Sequence, residues 1–205
     1  SGLLASLLFS ALPLYVVAQS LPPPEEARFY EEFSIKNQAD PLSLTVFRRS
    51  PLRDDSWQVE VHRINSSERP ICQTTLPPEA GGEFYSFHLL QLTGPSDQTI
   101  LLVDALPSKA ARRLDPPVYQ VAFLLRQGPG ERHLGCSVIA RGEYSELDGG
   151  PALSFTDELP PRLLRRDSES SIRFCGLRPE EKSDAEVFDF QSSQFRPLAI
   201  PQIEA

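Results

Sequence analysis

Twenty of the 205 residues are proline, and they lie between short segments in which apolar and polar side chains alternate. Proline lacks a backbone N–H and breaks the interior of a helix, so this content favours short strands joined by turns. The alternation has a period of two, as do side chains on the two faces of a β-strand. The sequence therefore predicts a mainly β fold with antiparallel strands.

Two kinds of strand pattern recur along the chain. In residues 57–62, Trp57, Val59 and Val61 alternate with polar residues, which predicts one buried face and one polar face carrying His62. Residues 99–103 and 118–125 are almost continuously apolar, as in strands that are buried on both faces. Further strands are predicted over residues 42–46, 71–76, 84–92, 133–140, 153–155 and 172–175.

The strongest local prediction is a hairpin over residues 118–141. Its two arms flank the segment Gln127-Gly128-Pro129-Gly130-Glu131, in which glycine permits positive φ and proline fixes φ, so the chain reverses there. In the second arm, alternation predicts one shared face for Leu134, Cys136, Val138 and Ala140. Strands that recur with turn residues between them indicate an antiparallel β-sandwich-like domain over residues 28–160. Residues 161–205 are predicted to be a C-terminal extension packed on this domain.

Helical signals are few and short. Residues 25–33 follow a proline, begin with two acids and place Phe29 and Phe33 on one helical face, which favours a short helix; a strand ending near Ile35 is the alternative. Residues 179–187 have the same kind of start and predict a second short helix.

Residues 2–18 are almost wholly apolar, and no charge appears before Glu25. They are predicted to form a short N-terminal apolar helix. The segment is short for a membrane span, but it matches the hydrophobic region of a signal peptide, with cleavage between Ala18 and Gln19. An uncleaved membrane anchor and a buried first helix are the alternatives. Residues 19–27 contain three consecutive prolines and predict an extended linker. The expected location is therefore secreted or extracytoplasmic: periplasmic, lumenal or at the cell surface.

The three cysteines are Cys72, Cys136 and Cys175, and none belongs to a C-x-x-C pair, so no zinc site is predicted. An oxidising compartment permits one disulfide and leaves one thiol, and three pairings are open. Alternatively all three are reduced core residues. The segment Asn65-Ser66-Ser67 matches the N-glycosylation motif in a polar turn.

Charge and motif content exclude several functions. The net charge of −8 argues against nucleic-acid binding and against anionic membrane surfaces as partners. His62, His88 and His133 are scattered, no G-x-S-x-G motif is present, and the histidines are interpreted as exposed strand residues. The acidic loop between Glu143 and Gly150 matches a calcium loop only weakly and is interpreted as a solvated turn. No catalytic residue, metal ligand or cofactor is predicted.

Aromatic residues provide the remaining functional signal. Trp57, Phe84 and Tyr85 are candidate contact residues, although such clusters are more often part of a core. Phe84 and Tyr85 are sequential, so on a strand they point to opposite faces. The leading hypothesis is a non-enzymatic extracytoplasmic module that binds a protein or a cell-surface polymer. The alternatives are an accessory subunit attached to a membrane through residues 2–18 and a glycan hydrolase that uses carboxylates between Glu143 and Glu158.

Overall fold

The computed structural model describes residues 27–36, 38, 40–48, 56–64, 69–111, 116–127, 134–144, 152–156, 159–165 and 185–198. This part of the chain contains twelve strands and two short 3₁₀ turns, Pro78–Gly81 and Pro95–Asp97. The strands are β1 (Phe29–Phe33), β2 (Leu42–Arg48), β3 (Trp57–Arg63), β4 (Cys72–Leu76), β5 (Tyr85–Thr93), β6 (Thr99–Pro107), β7 (Val118–Gln127), β8 (Leu134–Tyr144), β9 (Leu153–Phe155), β10 (Leu163–Arg165), β11 (Glu186–Asp189) and β12 (Gln194–Pro197).

The strands form three antiparallel sheets of four strands each. Sheet A has the order β1-β2-β3-β4, sheet B has the order β5-β6-β7-β8, and sheet C has the order β12-β11-β10-β9. In each sheet, strands that are consecutive in the chain lie side by side and run antiparallel. The predicted mainly β, antiparallel fold is confirmed.

One hydrophobic cluster contains side chains from sheets A and B. The inward residues of β2 and β3 recur every second position, as Leu42, Leu44 and Val46 and as Val59 and Val61, and all five are fully buried. They belong to the same cluster as alternate residues of β6 and β7. The alternation read from the sequence therefore identifies the apolar face of sheet A. The polar face is also buried, at Ser43, Thr45, Gln58 and His62, so the expectation that only one face is buried was wrong.

Contacts at two strand edges join sheet A to sheet B. A disulfide connects Cys72 of β4 to Cys136 of β8, with the two Cα atoms 5.5 Å apart. On the opposite side, the Gln91 amide of β5 donates a hydrogen bond of 3.0 Å to the carbonyl oxygen of Ser34, which follows β1. The structure thus selects one of the three cysteine pairings, while Cys175 lies outside the described residues.

Sheet B is buried on both of its faces where its two central strands lie. In β6, Leu101 and Val103 belong to the cluster shared with sheet A, whereas Ile100 and Leu102 belong to a second cluster. The second cluster also contains side chains of sheet C, namely Leu153, Leu163 and Phe188. This confirms the prediction that residues 99–103 and 118–125 are buried on both faces.

A β-bulge changes the face of β8 and corrects one prediction. The hairpin of β7 and β8 pairs Phe123 with Val138 but Ala122 with Ala140, so Ile139 is the extra residue. A single extra residue transfers the rest of a strand to the opposite face. Leu134, Cys136 and Val138 therefore contact the first cluster, whereas Ala140 belongs to the second. The expectation that all four share one face was wrong for Ala140.

One helix prediction is corrected, and a second lies mostly outside the described residues. Residues 29–33 form strand β1 and pair with β2, so the strand alternative was right for this segment. Cross-strand pairing places Phe29 opposite Val46 and Phe33 opposite Leu42, where Phe33 is buried and Phe29 is partly buried against the same cluster. The predicted helix over 179–187 lies mostly outside the described residues, and its last two positions begin β11.

Several predictions lie outside the described residues. They include the apolar helix over residues 2–18, the linker over residues 19–26 and the strand over residues 172–175. No helix within the described ranges has the length and apolar content needed to cross a membrane. The domain boundary near residue 160 stays a prediction.

Candidate functional site

A cleft of about 320 Å³ lies where β2 ends and β3 begins. Arg48 and Trp57 are directly paired across these two strands, so their side chains project from the same face of sheet A. The 3₁₀ turn Pro78–Gly81 follows β4 and completes the wall. The lining residues are Arg28, Arg48, Trp57, Pro78, Gly81, Gly82 and Glu83.

Trp57 forms the aromatic wall of the cleft, and several contacts fix its position. Its indole N–H donates a hydrogen bond of 3.0 Å to the carbonyl oxygen of Pro78. Its ring lies against the backbone of Gly81, where an added Cβ would be only 1.8 Å from a ring carbon. The ring centroid is 6.4 Å from that of Phe87 in the core. An aromatic surface held in this way is preorganised for a ligand.

Two arginines, Arg28 and Arg48, are among the described residues that line the cleft. The Arg28 guanidinium donates hydrogen bonds to the backbone carbonyls of Glu83 and Tyr85, at 3.4 and 3.3 Å. These acceptors are uncharged, so they hold the side chain in place without neutralising it. Arg48 is exposed beside Trp57, and among the described lining residues Glu83 contributes a carboxylate. A guanidinium in such a position is suited to carboxylate, sulfate or phosphate groups.

The candidate contact aromatics separate into different environments. Phe84 is 59% exposed and lies next to the cleft residue Glu83. Tyr85 is half-buried, its hydroxyl donates to the Pro117 carbonyl oxygen at 2.7 Å, and its ring lies 6.0 Å from that of Tyr119. Burial raises the pKa of Tyr119 to about 12, with Glu143 adding to the shift. Phe84 is thus accessible to a partner, whereas Trp57 and Tyr85 are both half-buried against the core, and Trp57 also lines the cleft.

His62 lies on the polar face of sheet A, opposite Trp57, Val59 and Val61, as predicted. It is only 4% exposed, so its interpretation as an exposed strand residue was wrong. Its Nε2–H donates to the Glu60 carboxylate at 2.7 Å. Gln58 Oε1 and His62 Nδ1 on the same face of β3, and Ser56 Oγ just before the strand, are buried and have no hydrogen-bond partner among the described residues.

A second polar row crosses sheet B and includes His88. Ser86 Oγ lies 3.3 Å from His88 Nε2, and His88 is paired across the ladder with Asp104. The Gln120 amide donates to the Asp104 carboxylate at 2.9 Å and also binds the Leu153 backbone. Burial raises the pKa of Asp104, although Gln120 and His88 oppose the shift. Ser86 and His88 are exposed on the edge strand β5, not enclosed in a pocket.

The other candidate residues lie mostly outside the described part of the chain. This applies to Ala18, Gln19, Asn65, His133 and the acidic residues beyond Glu143, which is itself exposed on β8. Within the described ranges, no three His, Cys, Asp or Glu side chains are grouped to hold a metal ion.

The arginines and Gly81 are the cleft residues that sequence reasoning missed. Arg28, Arg48 and Gly81 are separated by 20 to 53 positions in the chain, and no local pattern relates them. The one available signal was the neighbouring pair Gly81-Gly82, which permits close approach of a ring to the backbone.

Comparison with protein-family models, with curated proteins and with solved structures gives no match to this chain. The cleft and its chemistry are therefore the basis for a functional assignment.

Proposed function

We propose that this chain is a non-enzymatic, extracytoplasmic binding module that holds a protein or a cell-surface polymer in the cleft at Trp57. The observation that carries the proposal is the fixed Trp57 ring at the cleft wall, with two arginines among the residues that surround it. Phe84, exposed beside the cleft, extends the contact surface. Tryptophan, tyrosine and arginine are the residues that dominate binding energy at protein surfaces.

The proposed architecture is a β-sandwich in which sheets A and B pack face to face. Their shared hydrophobic cluster, the Cys72–Cys136 disulfide at one edge and the Gln91–Ser34 hydrogen bond at the other support this arrangement. The cleft then lies at one end of the sandwich, which is where loops and strand ends present ligand sites in such folds.

The proposed location outside the cytoplasm is supported by the disulfide. Disulfides persist in oxidising compartments and are rare in the cytosol. Together with the apolar residues 2–18, the bridge favours export. N-terminal sequencing of protein purified from its natural source tests the predicted export. A start at Gln19 is expected, and retention of residues 2–18 would contradict the predicted cleavage.

The polar row on sheet B favours binding over hydrolysis. In a Ser-His-Asp triad the acid is ionised and orients the histidine. Asp104 instead accepts a hydrogen bond from Gln120, and burial raises its pKa. Ser86 and His88 are both exposed, so this row lacks the enclosure that hydrolytic sites use to exclude water.

The binding proposal is tested by sedimentation with envelope material from the source cells, used intact and after protease digestion. Wild-type protein is expected to sediment with at least one of the two. Trp57→Phe and Phe84→Ala are expected to reduce the bound fraction, because both change the proposed contact surface. Leu90→Ala is the matched control, since Leu90 is 45% exposed on β5.

Circular dichroism establishes that each variant is folded before its binding is compared. Absence of binding to both materials would overturn the proposal. Equal binding by wild type and both cleft variants would show that the cleft is not the binding site.

A further inference from the structure

Strand β5 is an edge of sheet B, and its sequence has none of the features that usually prevent one sheet edge from pairing with another. It is nine residues long and pairs with β6 in a register without a shift from Tyr85 to Thr93. Its sequence is YSFHLLQLT, which contains no Asp, Glu, Lys, Arg or Pro. Edges in natural proteins are commonly short, charged, bulged or covered, because a free edge offers unpaired N–H and C=O groups to other strands.

The other edges of the three sheets carry such features. On β1, Glu31 and Glu32 are exposed, and β8 contains the bulge at Ile139. Strand β4 has five residues and is joined to β8 by the disulfide. Strand β9 has three residues, and β12 has four and ends in Pro197. Among the described strands, β5 is therefore the edge most suited to pairing with a further strand.

Hydrogen bonds at the start of β5 show which of its backbone groups point away from β6. The Phe84 carbonyl oxygen accepts a hydrogen bond from the N–H of Ser108, which follows β6. The Tyr85 carbonyl oxygen instead accepts one from the Arg28 guanidinium, on the other side of the strand. Backbone groups alternate in direction along an antiparallel strand, so the outward residues after Tyr85 follow at every second position. They are Phe87, Leu89, Gln91 and Thr93.

These four outward residues have backbone groups to which no described residue hydrogen-bonds. Leu90 is at the centre of the run, and its side chain is 45% exposed. Leu90 is paired with Leu102, which belongs to the cluster shared with sheet C, so its side chain lies on the outer face of sheet B. The edge thus presents free hydrogen-bonding groups on both sides of an exposed leucine.

We infer that β5 pairs antiparallel with β5 of a second copy of this chain, about a two-fold axis at Leu90. In this register Phe87 lies opposite Thr93 of the second copy, and Leu89 lies opposite Gln91. Each such pair exchanges two hydrogen bonds, so all four outward residues are used. The two Leu90 side chains lie directly opposite each other and remove each other from water.

The symmetry and charge of β5 favour a second copy over a strand of another protein. The outward run is centred on Leu90, so the residue opposite this exposed leucine is the same leucine of the second copy. The net charge of −8 makes two copies repel each other, and a strand without charged residues brings no like charges together across the contact. A two-fold contact is also closed, so the assembly stops at two copies.

Sedimentation equilibrium of the full-length protein between about 1 and about 200 µM tests the pairing. The contact involves one strand from each copy, so a weak dimer is expected that dissociates within this range. Leu90→Lys is expected to weaken the dimer by at least about tenfold, because it places two ammonium groups directly opposite each other. Gln73→Lys is the matched control: Gln73 is exposed on the edge strand β4, and this variant is expected to dimerise like wild type.

Cysteine cross-linking tests the position of the axis. Leu90→Cys and His88→Cys are each made in a Cys175→Ser background and oxidised with glutathione disulfide. The Cα atoms of the two copies at position 90 are expected to be about 4.5 Å apart, within the range of a disulfide. At position 88 they are expected to be four residues apart along the strands, about 13 Å, which is too far. Leu90→Cys is therefore expected to give a covalent dimer on a non-reducing gel, and His88→Cys is expected to stay monomeric.

Three outcomes would overturn the inference, once circular dichroism has shown that each variant is folded. A wild-type protein that stays monomeric at every concentration would overturn the pairing of two copies and leave the edge to a strand of another protein. A dimer that Leu90→Lys does not weaken would place the contact away from β5. Equal cross-linking of the two cysteine variants would overturn the axis at Leu90.

The inference is independent of the binding proposal, because Trp57 and the cleft lie on sheet A and the turn after it. Loss of binding at the cleft would leave the dimer, and a monomeric protein would leave the cleft. The envelope assay is run at about 1 µM protein, where the monomer is expected to dominate. Leu90→Ala therefore remains a suitable control for that assay.

Discussion

Removal of the Cys72–Cys136 disulfide provides a test of how sheets A and B are held together. The two cysteines are 64 positions apart in the chain, and they join the edge strands β4 and β8. A cross-link stabilises mainly by restricting the unfolded chain, by an entropy that grows with the logarithm of the loop length. For a loop of this length, the relation gives about 4 kcal/mol at 25 °C.

The measurement compares one protein in two redox states, so that no side chain in the bridge is replaced. Protein carrying Cys175→Ser is unfolded in urea with and without dithiothreitol, and Trp57 fluorescence follows the transition. With a denaturant slope of about 2 kcal/mol per molar urea, the midpoint is expected to fall by about 2 M on reduction. The Cys175→Ser background prevents exchange between the bridge and the third thiol.

The control is the triple variant Cys72→Ala, Cys136→Ala and Cys175→Ser, whose stability is expected to be independent of reductant. A difference below about 1 kcal/mol between the oxidised and reduced proteins would refute the entropic reasoning. An equal effect of dithiothreitol on the triple variant would show that the reductant acts elsewhere.

Two further predictions concern the cleft and the buried carboxyl group. Gly81→Ala is expected to lower the free energy of unfolding by about 1–3 kcal/mol, because its Cβ would lie 1.8 Å from the Trp57 ring. Gly82→Ala is the control, because its added Cβ would be 3.5 Å from the nearest atom. Its free energy of unfolding is expected to stay within about 0.5 kcal/mol of wild type in the same urea assay. Equal stability of the two variants would contradict the placement of the Trp57 ring. Asp104→Asn tests a pH dependence: burial raises the pKa of Asp104, so the wild-type fold loses stability as the pH rises above the ordinary value of 3.8 and through the raised pKa. Asparagine does not ionise, so the free energy of unfolding of the variant, measured in urea, is expected to increase relative to that of wild type between pH 3 and pH 8. A difference in free energy between the two proteins that is constant with pH would contradict this prediction.

Strand content was largely predictable because an apolar face toward the core imposes a period of two. Val59 and Val61 alternate with polar residues, and the structure buries both of them. Residues 99–103 are continuously apolar because sheet B has side chains from another sheet on each of its faces. In both cases the pattern of apolar residues in the strand follows from which of its faces contact apolar side chains.

Features that depend on one residue or on distant partners were not predictable. The bulge at Ile139 moves Ala140 to the other face, although the alternation in the sequence continues through it. Phe29 and Phe33 fit a helix as well as a strand, and pairing with β2 decides between the two. His62 alternates like an exposed residue, yet its side chain is buried with Glu60.

The sequence by itself determined that the chain forms antiparallel strands with a defined apolar face, because that property is periodic and local. It also suggested Trp57, Phe84 and Tyr85 as candidate contact residues and supplied three cysteines without a pairing. Only the tertiary structure selected Cys72 with Cys136 and brought Arg28, Arg48 and Gly81 to Trp57. Except for the pairing of Arg48 with Trp57 across β2 and β3, these contacts join positions far apart in the chain. Their distances are set by how the strands and sheets pack, which no local pattern encodes.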